Sequence, residues 1–304
     1  MYTARRDGSR SALLYEPGSL ARQETRLIPS ADGQILVSTH IPDTTPVAAL
    51  FICNSFAHPF AQNYRREALL GRTLSSQGVV VRRFSYRGTG ESSGSPFDLT
   101  TPAMIDDASV ALADFAGMSN RLPLFVLGTH WGSHVAACVA SKHPGTRLIL
   151  WDPVLDGQSL FRQMFRSLWA TTANRVAGIG REEVLQRLNA TGAADIHGYP
   201  YSLRFHTEAE SRSLLEMSIA PSTEVFIVGF NKRGDVPAGL RELERRLNGQ
   251  GHTVEVRHVC AAETWWVQDS GEYVSEEDSD YTKHALSHTV SWIMASAAIG
   301  DRQR

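Results

Sequence analysis

Short runs of β-branched and other apolar residues alternate along the chain with segments whose apolar positions recur every three or four residues. The runs predict strands and the segments predict helices, because the two elements differ in their side-chain period. Such alternation indicates an α/β fold, with a mostly parallel sheet and helices on both faces. The predicted strands are residues 25–30, 34–41, 48–54, 79–86, 124–129, 148–151, 224–230 and 253–259. The predicted helices are residues 64–76, 101–116, 132–142, 238–248 and 281–297.

Two features refine this picture. The first two strands are joined through Ala31, Asp32 and Gly33, and an Asp-Gly pair between apolar runs predicts a hairpin. Residues 158–218 carry helical, aromatic-bearing patterns without a clear strand, which indicates a helical cap inserted over the carboxyl edge of the sheet. The predicted organisation is an N-terminal extension at 1–23, a core at 24–157 and 219–304, and a cap at 158–218.

Charge and composition narrow the functional classes. The 30 basic and 32 acidic side chains give a net charge of −2, which argues against nucleic acid or an anionic membrane as a partner. The N-terminus lacks the apolar run of a secretory signal, and no window has the roughly 18 apolar residues of a membrane span. Cys53, Cys138 and Cys260 are widely spaced, as expected of reduced thiols. We therefore expect a cytoplasmic protein without a membrane span.

The most informative motif follows the fifth strand. The run Leu124–Thr129 leads into Gly128-Thr129-His130-Trp131-Gly132 and then into a helix rich in small residues. A strand, a glycine-x-residue-x-glycine turn and a helix form the nucleophile elbow, which projects its central residue above the sheet. That central residue is ordinarily serine, whereas here it is His130.

Four motifs occur in the order of one fold family. They are residues 63–66 (NYRR), 86–94 (YRGTGESSG), the elbow, and 150–157 (LWDPVLDG), and with the strands between them they cover residues 24–297. The chain resembles α/β-hydrolases of the serine aminopeptidase, lysophospholipase and thioesterase-like group, and within it the small hydrolases associated with bacterial exosortase systems. The resemblance implies an α/β-hydrolase fold with an eight-stranded sheet. It also implies a small-molecule acyl substrate, free or carrier-bound, in an ester, thioester or amide linkage.

The chain departs from the pattern of that family at its catalytic positions. Besides the elbow, the histidine expected after the eighth strand is missing from residues 260–266, which contain Glu263 instead. The acid expected after the seventh strand can only be Asp235. The usual Ser-His-Asp triad therefore cannot be assembled from the matching positions. Glu263 is the expected orienting carboxylate for His130, with Asp152 and Asp235 as competitors.

An imidazole at the elbow suits base catalysis. Its ordinary pKa lies near neutrality, and the positive end of the following helix favours the neutral form of His130. It is expected to activate water or a substrate hydroxyl, or to accept the acyl group transiently. The oxyanion would be held by the backbone amide of Trp131 and by that of Phe56 or Ala57.

Four further residues are candidates for substrate contact. Ser55 and His58 lie in the loop after the third strand, and Trp265 and Trp266 lie after the eighth. No cofactor or metal is expected, because the histidines, cysteines and Glu263 near this edge lack metal-ligand spacing.

Two alternatives remain open. The loss of two triad positions is also typical of a pseudo-hydrolase that serves as a ligand-binding or partner protein. A histidine base without a nucleophile is equally compatible with a lyase or cyclase in a biosynthetic pathway. The sequence thus predicts the fold and a pocket centred on His130, with acyl hydrolysis, acyl transfer or cyclisation as the first hypothesis.

Overall fold

The eight predicted strands form one sheet in a computed structural model that describes residues 22–301, apart from 32, 120, 171–179, 233 and 261–275. In chain order the sheet strands are β1 (Arg22–Ser30), β2 (Gly33–Ile41), β3 (Ala48–Cys53), β4 (Val79–Phe84), β5 (Leu124–Thr129), β6 (Arg147–Trp151), β9 (Glu224–Asn231) and β10 (Thr253–Cys260). Their spatial order is β1-β2-β4-β3-β5-β6-β9-β10. The β1–β2 hairpin and the β2–β4 pair are antiparallel, and the remaining pairs are parallel.

Helices cover both faces of this sheet. They are α1 (Ala57–Ser75), α2 (Thr101–Ser119), α3 (Gly132–Ser141), α4 (Gly157–Ala170), α5 (Arg181–Thr191), α6 (Leu203–Glu210), α7 (Ala238–Gly249) and α8 (Glu276–Asp301). The cluster on one face contains buried residues of α2, α3 and α7, and the cluster on the other contains buried residues of α1 and α8. Strand β3 is fully buried because helices cover both faces of the sheet. Its apolar side chains on both faces are typical of a covered parallel sheet. The predicted fold class is confirmed.

The helix boundaries differ from the prediction at two places. Helix α1 begins at Ala57, seven residues before the predicted start, because the backbone turns into the helix immediately after Phe56. Helix α8 begins at Glu276, five residues before the predicted start, within an acid-rich segment. Among the described residues, no helix combines the length and apolar character needed to cross a membrane.

The segment between β6 and β9 contains α4, α5 and α6 and, in addition, a short hairpin of β7 (Ala193–Ile196) and β8 (Tyr199–Ser202). Each strand of this hairpin has four residues, which is too short for the alternation of side chains to be recognised in the sequence. Helix α4 starts against the end of α6, where a Cβ at Gly157 would lie 2.1 Å from the carbonyl oxygen of Ala209. Glycine is required at this close approach, which fixes the start of α4.

Candidate functional site

The turn between β5 and α3 has the geometry of a tight strand-to-helix elbow. His130 stands at its apex with a φ of +54°, a left-handed conformation that costs energy for any residue with a Cβ. A Cβ at Gly132 would lie 2.2 Å from the Cys53 carbonyl oxygen, and one at Gly128 would lie 2.5 Å from the Ser133 Cα. The two glycines therefore let α3 pack directly on the ends of β3 and β5.

The imidazole of His130 lies between the loop after β3 and helix α4. Its Nδ1 is 3.4 Å from Ser55 Oγ, and its Nε2 is 2.9 Å from Gln163 Oε1 on α4. His130 has no exposed surface, and burial lowers its pKa from 6.5 to about 4, with the Gln163 hydrogen bond acting in the opposite direction. The ring is therefore neutral at physiological pH.

Asp152 lies at the end of the strand next to His130. The His130 amide donates to the Trp151 carbonyl at 2.8 Å, and Asp152 follows directly with a φ of +45°. The Asp152 amide in turn donates to Val228 of β9, and its side chain is half-buried. Among the described carboxylates that were predicted to orient His130, Asp152 is thus the one at the neighbouring strand end.

The other two predicted carboxylates have different outcomes. Asp235 lies in the exposed loop after β9, and its backbone carbonyl accepts a hydrogen bond from the Asn231 side-chain amide at 2.6 Å. Glu263 lies outside the described residues. His258, the histidine of β10 that precedes that region, directs Nε2 to the carbonyl and side-chain oxygens of Asn231, at 3.1 and 2.9 Å.

The predicted oxyanion amides lie at the starts of two helices. Trp131 caps the N-terminus of α3, and Phe56 caps that of α1, where Ala57 follows with a φ of +56°. The Trp131 side chain is buried, donates from Nε1 to Thr101 Oγ1 at 3.1 Å and stacks on His134 with ring centroids 4.0 Å apart. This packing fixes the backbone that carries the amide.

The predicted substrate contacts are placed only in part. Ser55 is fully buried beside His130, as described above. His58 lies in the first turn of α1, where the structure describes the backbone and not the side chain, and Trp265 and Trp266 lie outside the described residues.

Two cavities lie near the site. A cavity of about 1460 Å³ opens between helices α4, α5 and α6, and its lining includes Gln163, Phe161 and Arg162. A smaller cavity of about 210 Å³ lies where α1 begins, and its lining includes Phe56, Ala57, Tyr201 and Phe205. Gln163 thus both lines the larger cavity and contacts the imidazole of His130 through its side-chain oxygen.

Gln163 was not predicted as a site residue. Carboxylates are the usual orienting partners of a histidine base, and an uncharged amide 33 positions away has no local sequence signal for this role. One feature does distinguish it: Gln163 follows buried Leu160 by three residues and precedes buried Met164, so a polar side chain interrupts the buried face of α4.

The glycine-rich loop at 87–94 is held by contacts to α2 and to the residues that follow it. The Arg87 guanidinium donates to the fully buried carboxylate of Asp107 at 2.8–3.1 Å, and the Arg87 amide donates to the same carboxylate at 2.8 Å. A Cβ at Gly88 would lie 2.4 Å from the carbonyl carbon of Ser95. The backbone of the loop at Gly88 therefore packs directly against the backbone of Ser95.

Comparison with known proteins agrees with this architecture. Residues 47–193 match the serine aminopeptidase family S33. A human (Homo sapiens) monoglyceride lipase is 26% identical over 168 residues, which is 53% of each chain, so the chain spans about half the length of this curated relative. A thermostable carboxyl esterase from Bacillus coagulans superposes with a TM-score of 0.60 at 15% identity, covering 90% of this chain and 99% of the esterase. Est1E from Butyrivibrio proteoclasticus, solved with ferulic acid bound, gives 0.56 at 13% identity, covering 90% and 99%.

The sheet order, the elbow and these matches define the class. The chain has the α/β-hydrolase fold, and residues 47–193, just under half of its length, match the serine aminopeptidase family model. Its relatives are hydrolases.

Proposed function

We propose that the chain acts on an ester, thioester or amide of a small acyl compound, free or carrier-bound, with His130 as the general base. The observation that carries the proposal is the position of the imidazole at the apex of the β5–α3 turn. In this fold that turn presents the group that attacks or activates. The relatives described as a lipase and a carboxyl esterase support an ester as the first substrate class.

The protonation state and the contacts of the ring support a role as a general base. With a pKa of about 4, His130 is neutral near pH 7 and can accept a proton. Since Gln163 Oε1 accepts from Nε2–H, the basic atom is Nδ1, which faces the Ser55 hydroxyl. Nδ1 would accept the proton of a hydroxyl or water as that oxygen attacks the acyl carbonyl.

The developing oxyanion would be held at the starts of α1 and α3. The amides of Trp131 and of Phe56 or Ala57 are the proposed donors, because helix N-termini stabilise negative charge. Asp152 and Glu263 are the carboxylates proposed to balance the charge of the protonated ring.

Comparison of His130→Ala with the wild-type protein tests the proposal. On a panel of p-nitrophenyl esters and butyryl thioesters, we expect kcat/KM to fall at least about 100-fold, the usual contribution of a general base. The exposed His143 at the end of α3 provides a matched control, and His143→Ala should retain full activity. Turnover by His130→Ala within a few-fold of wild type would overturn the proposal.

A ligand-binding pseudo-hydrolase is the second candidate, and the complete burial of His130 beneath Gln163 favours it. In that case the wild-type protein turns over no member of the panel, while ligand affinity changes in His130→Ala.

A lyase or cyclase is distinguished from a hydrolase by reaction in heavy-oxygen water. Only hydrolysis places the label in the acid product.

A further inference from the structure

The hydroxyl of Ser55 faces the base proposed above. Strands β3 and β5 are parallel neighbours, with Cys53 paired to Gly128, so two residues further along Ser55 lies opposite His130. Its Oγ is 3.4 Å from Nδ1, at the long end of hydrogen bonding, and both side chains are fully buried. Contacts of this kind in ligand-free sites are commonly looser than in the reacting complex.

The contact with Gln163 determines which group donates. The amide oxygen Oε1, 2.9 Å from Nε2, can only accept, so the ring proton resides on Nε2. Nδ1 then carries a lone pair, and the Ser55 hydroxyl is the donor. The order hydroxyl, imidazole, acceptor is that of a serine nucleophile, its base and an orienting group.

We propose that Ser55 is the nucleophile of this site, with His130 as its base and Gln163 as the positioning residue that fixes the ring. This inference rests on the proposed function, since it needs His130 as a base. The hydroxyl would thus reach the base from the loop after β3, while the elbow supplies the base.

The reaction would proceed through an acyl-serine. Ser55 Oγ bonds to the acyl carbon as its proton passes to His130 Nδ1, and the bond to the leaving alcohol or thiol breaks as the protonated imidazole donates that proton to it. Water then attacks the acyl-serine and gives a proton to Nδ1. Release of the acid returns the proton to Ser55 Oγ, so all atoms balance.

Two neighbouring features agree with this role. The residues directly after Ser55 in the chain, Phe56 and Ala57, line the cavity of about 210 Å³ together with Tyr201 and Phe205, so an apolar space begins one residue after this serine. By contrast, the nearby Ser133 donates from Oγ to the Gly128 carbonyl at 3.1 Å, back toward the strand. Among the described residues, Ser55 is the serine whose hydroxyl faces the imidazole.

Labelling with a fluorophosphonate, followed by peptide mapping, tests the assignment. We expect the label on the peptide that contains Ser55, no label on Ser55→Ala, and labelling slowed at least about 100-fold in His130→Ala. The matched control is Ser133→Ala, an equally buried serine next to the elbow, which should label like wild type. Circular dichroism and thermal unfolding compare the folding of each variant.

A second variant keeps a nucleophile at the same place. Ser55→Cys should lose fluorophosphonate labelling and gain alkylation by iodoacetamide that disappears when His130→Ala is added. Alkylation that does not depend on His130 would overturn the assignment. The native Cys53 is fully buried and its thiol pKa is raised by that burial, so its background reaction should be slow.

The outcomes separate this inference from the proposed function. If His130→Ala loses turnover and Ser55→Ala keeps it, or if the label falls on another residue, Ser55 is wrong and His130 activates water directly. If both variants keep turnover, both proposals fail. If the wild-type protein shows neither label nor turnover, both also fail and the ligand-binding alternative stands.

Discussion

Nε2 of His130 donates to Oε1 of Gln163 across 2.9 Å, so helix α4 binds the residue at the apex of the β5–α3 elbow. Because the amide is uncharged, it fixes which nitrogen carries the proton without stabilising an imidazolium as a carboxylate would. The pKa of about 4 for the buried ring is consistent with this neutral partner.

Exchange of that amide for a carboxylate should therefore raise the pKa of His130. In Gln163→Glu the negative charge beside Nε2 favours the protonated ring, and we expect the titration midpoint to rise by at least 1 pH unit, about 1.4 kcal/mol. Nuclear magnetic resonance titration of the histidine ring signals measures it, with the His130 signal assigned by its loss in His130→Ala. The exposed Gln158 on the same helix gives the control, since Gln158→Glu should leave that midpoint unchanged. An unchanged midpoint in Gln163→Glu would mean that the contact is not formed in solution.

The sequence predicts the framework of this site better than its contacts. The ends of β5 and α3, and the two glycines that let them meet, are visible because the strand period, the glycine spacing and the helix period are local signals. The contact between His130 and Gln163 is not local, since it joins positions 33 residues apart through the packing of α4 against the elbow. The sequence predicts Ser55 only as a candidate for substrate contact, because its distance to His130 depends on the register of β3 on β5.

Replacement of glycine by alanine should change the free energy of unfolding in opposite directions at two positions, because only one of them is closely packed. Gly132→Ala places a Cβ 2.2 Å from the Cys53 carbonyl oxygen and 2.4 Å from that of Asn54, where only backbone movement relieves the overlap. We expect it to lower the free energy of unfolding by about 3 kcal/mol or more. Gly117→Ala, on the exposed side of α2 with no atom within 4 Å of the new Cβ, should raise it by about 0.5–1 kcal/mol. Urea unfolding of both variants measures the difference, and a similar change in both would contradict the packing described for the elbow.

The buried carboxyl group of Glu67 should make the free energy of unfolding depend on pH. Glu67 of α1 is fully buried, and burial raises its pKa from 4.5 to about 7, against the opposing effect of the Arg83 charge. In the unfolded chain Glu67 ionises above about pH 4.5, whereas in the folded chain it keeps its proton up to about pH 7. The contribution of Glu67 to the free energy of unfolding therefore falls as the pH rises between these values, by up to about 1.4 kcal/mol per pH unit.

Glu67→Gln removes this titration while keeping the shape of the side chain. Relative to wild type, the variant should gain about 2–3 kcal/mol in the free energy of unfolding between pH 5 and pH 8, because the uncharged amide loses no proton over that range. Urea unfolding at both pH values measures the gain, and Glu91→Gln, which changes an exposed carboxyl, should show the same difference from wild type at each pH. A gap between Glu67→Gln and wild type that does not change with pH would show that Glu67 is ionised in the folded protein at pH 5, so that burial does not hold its proton.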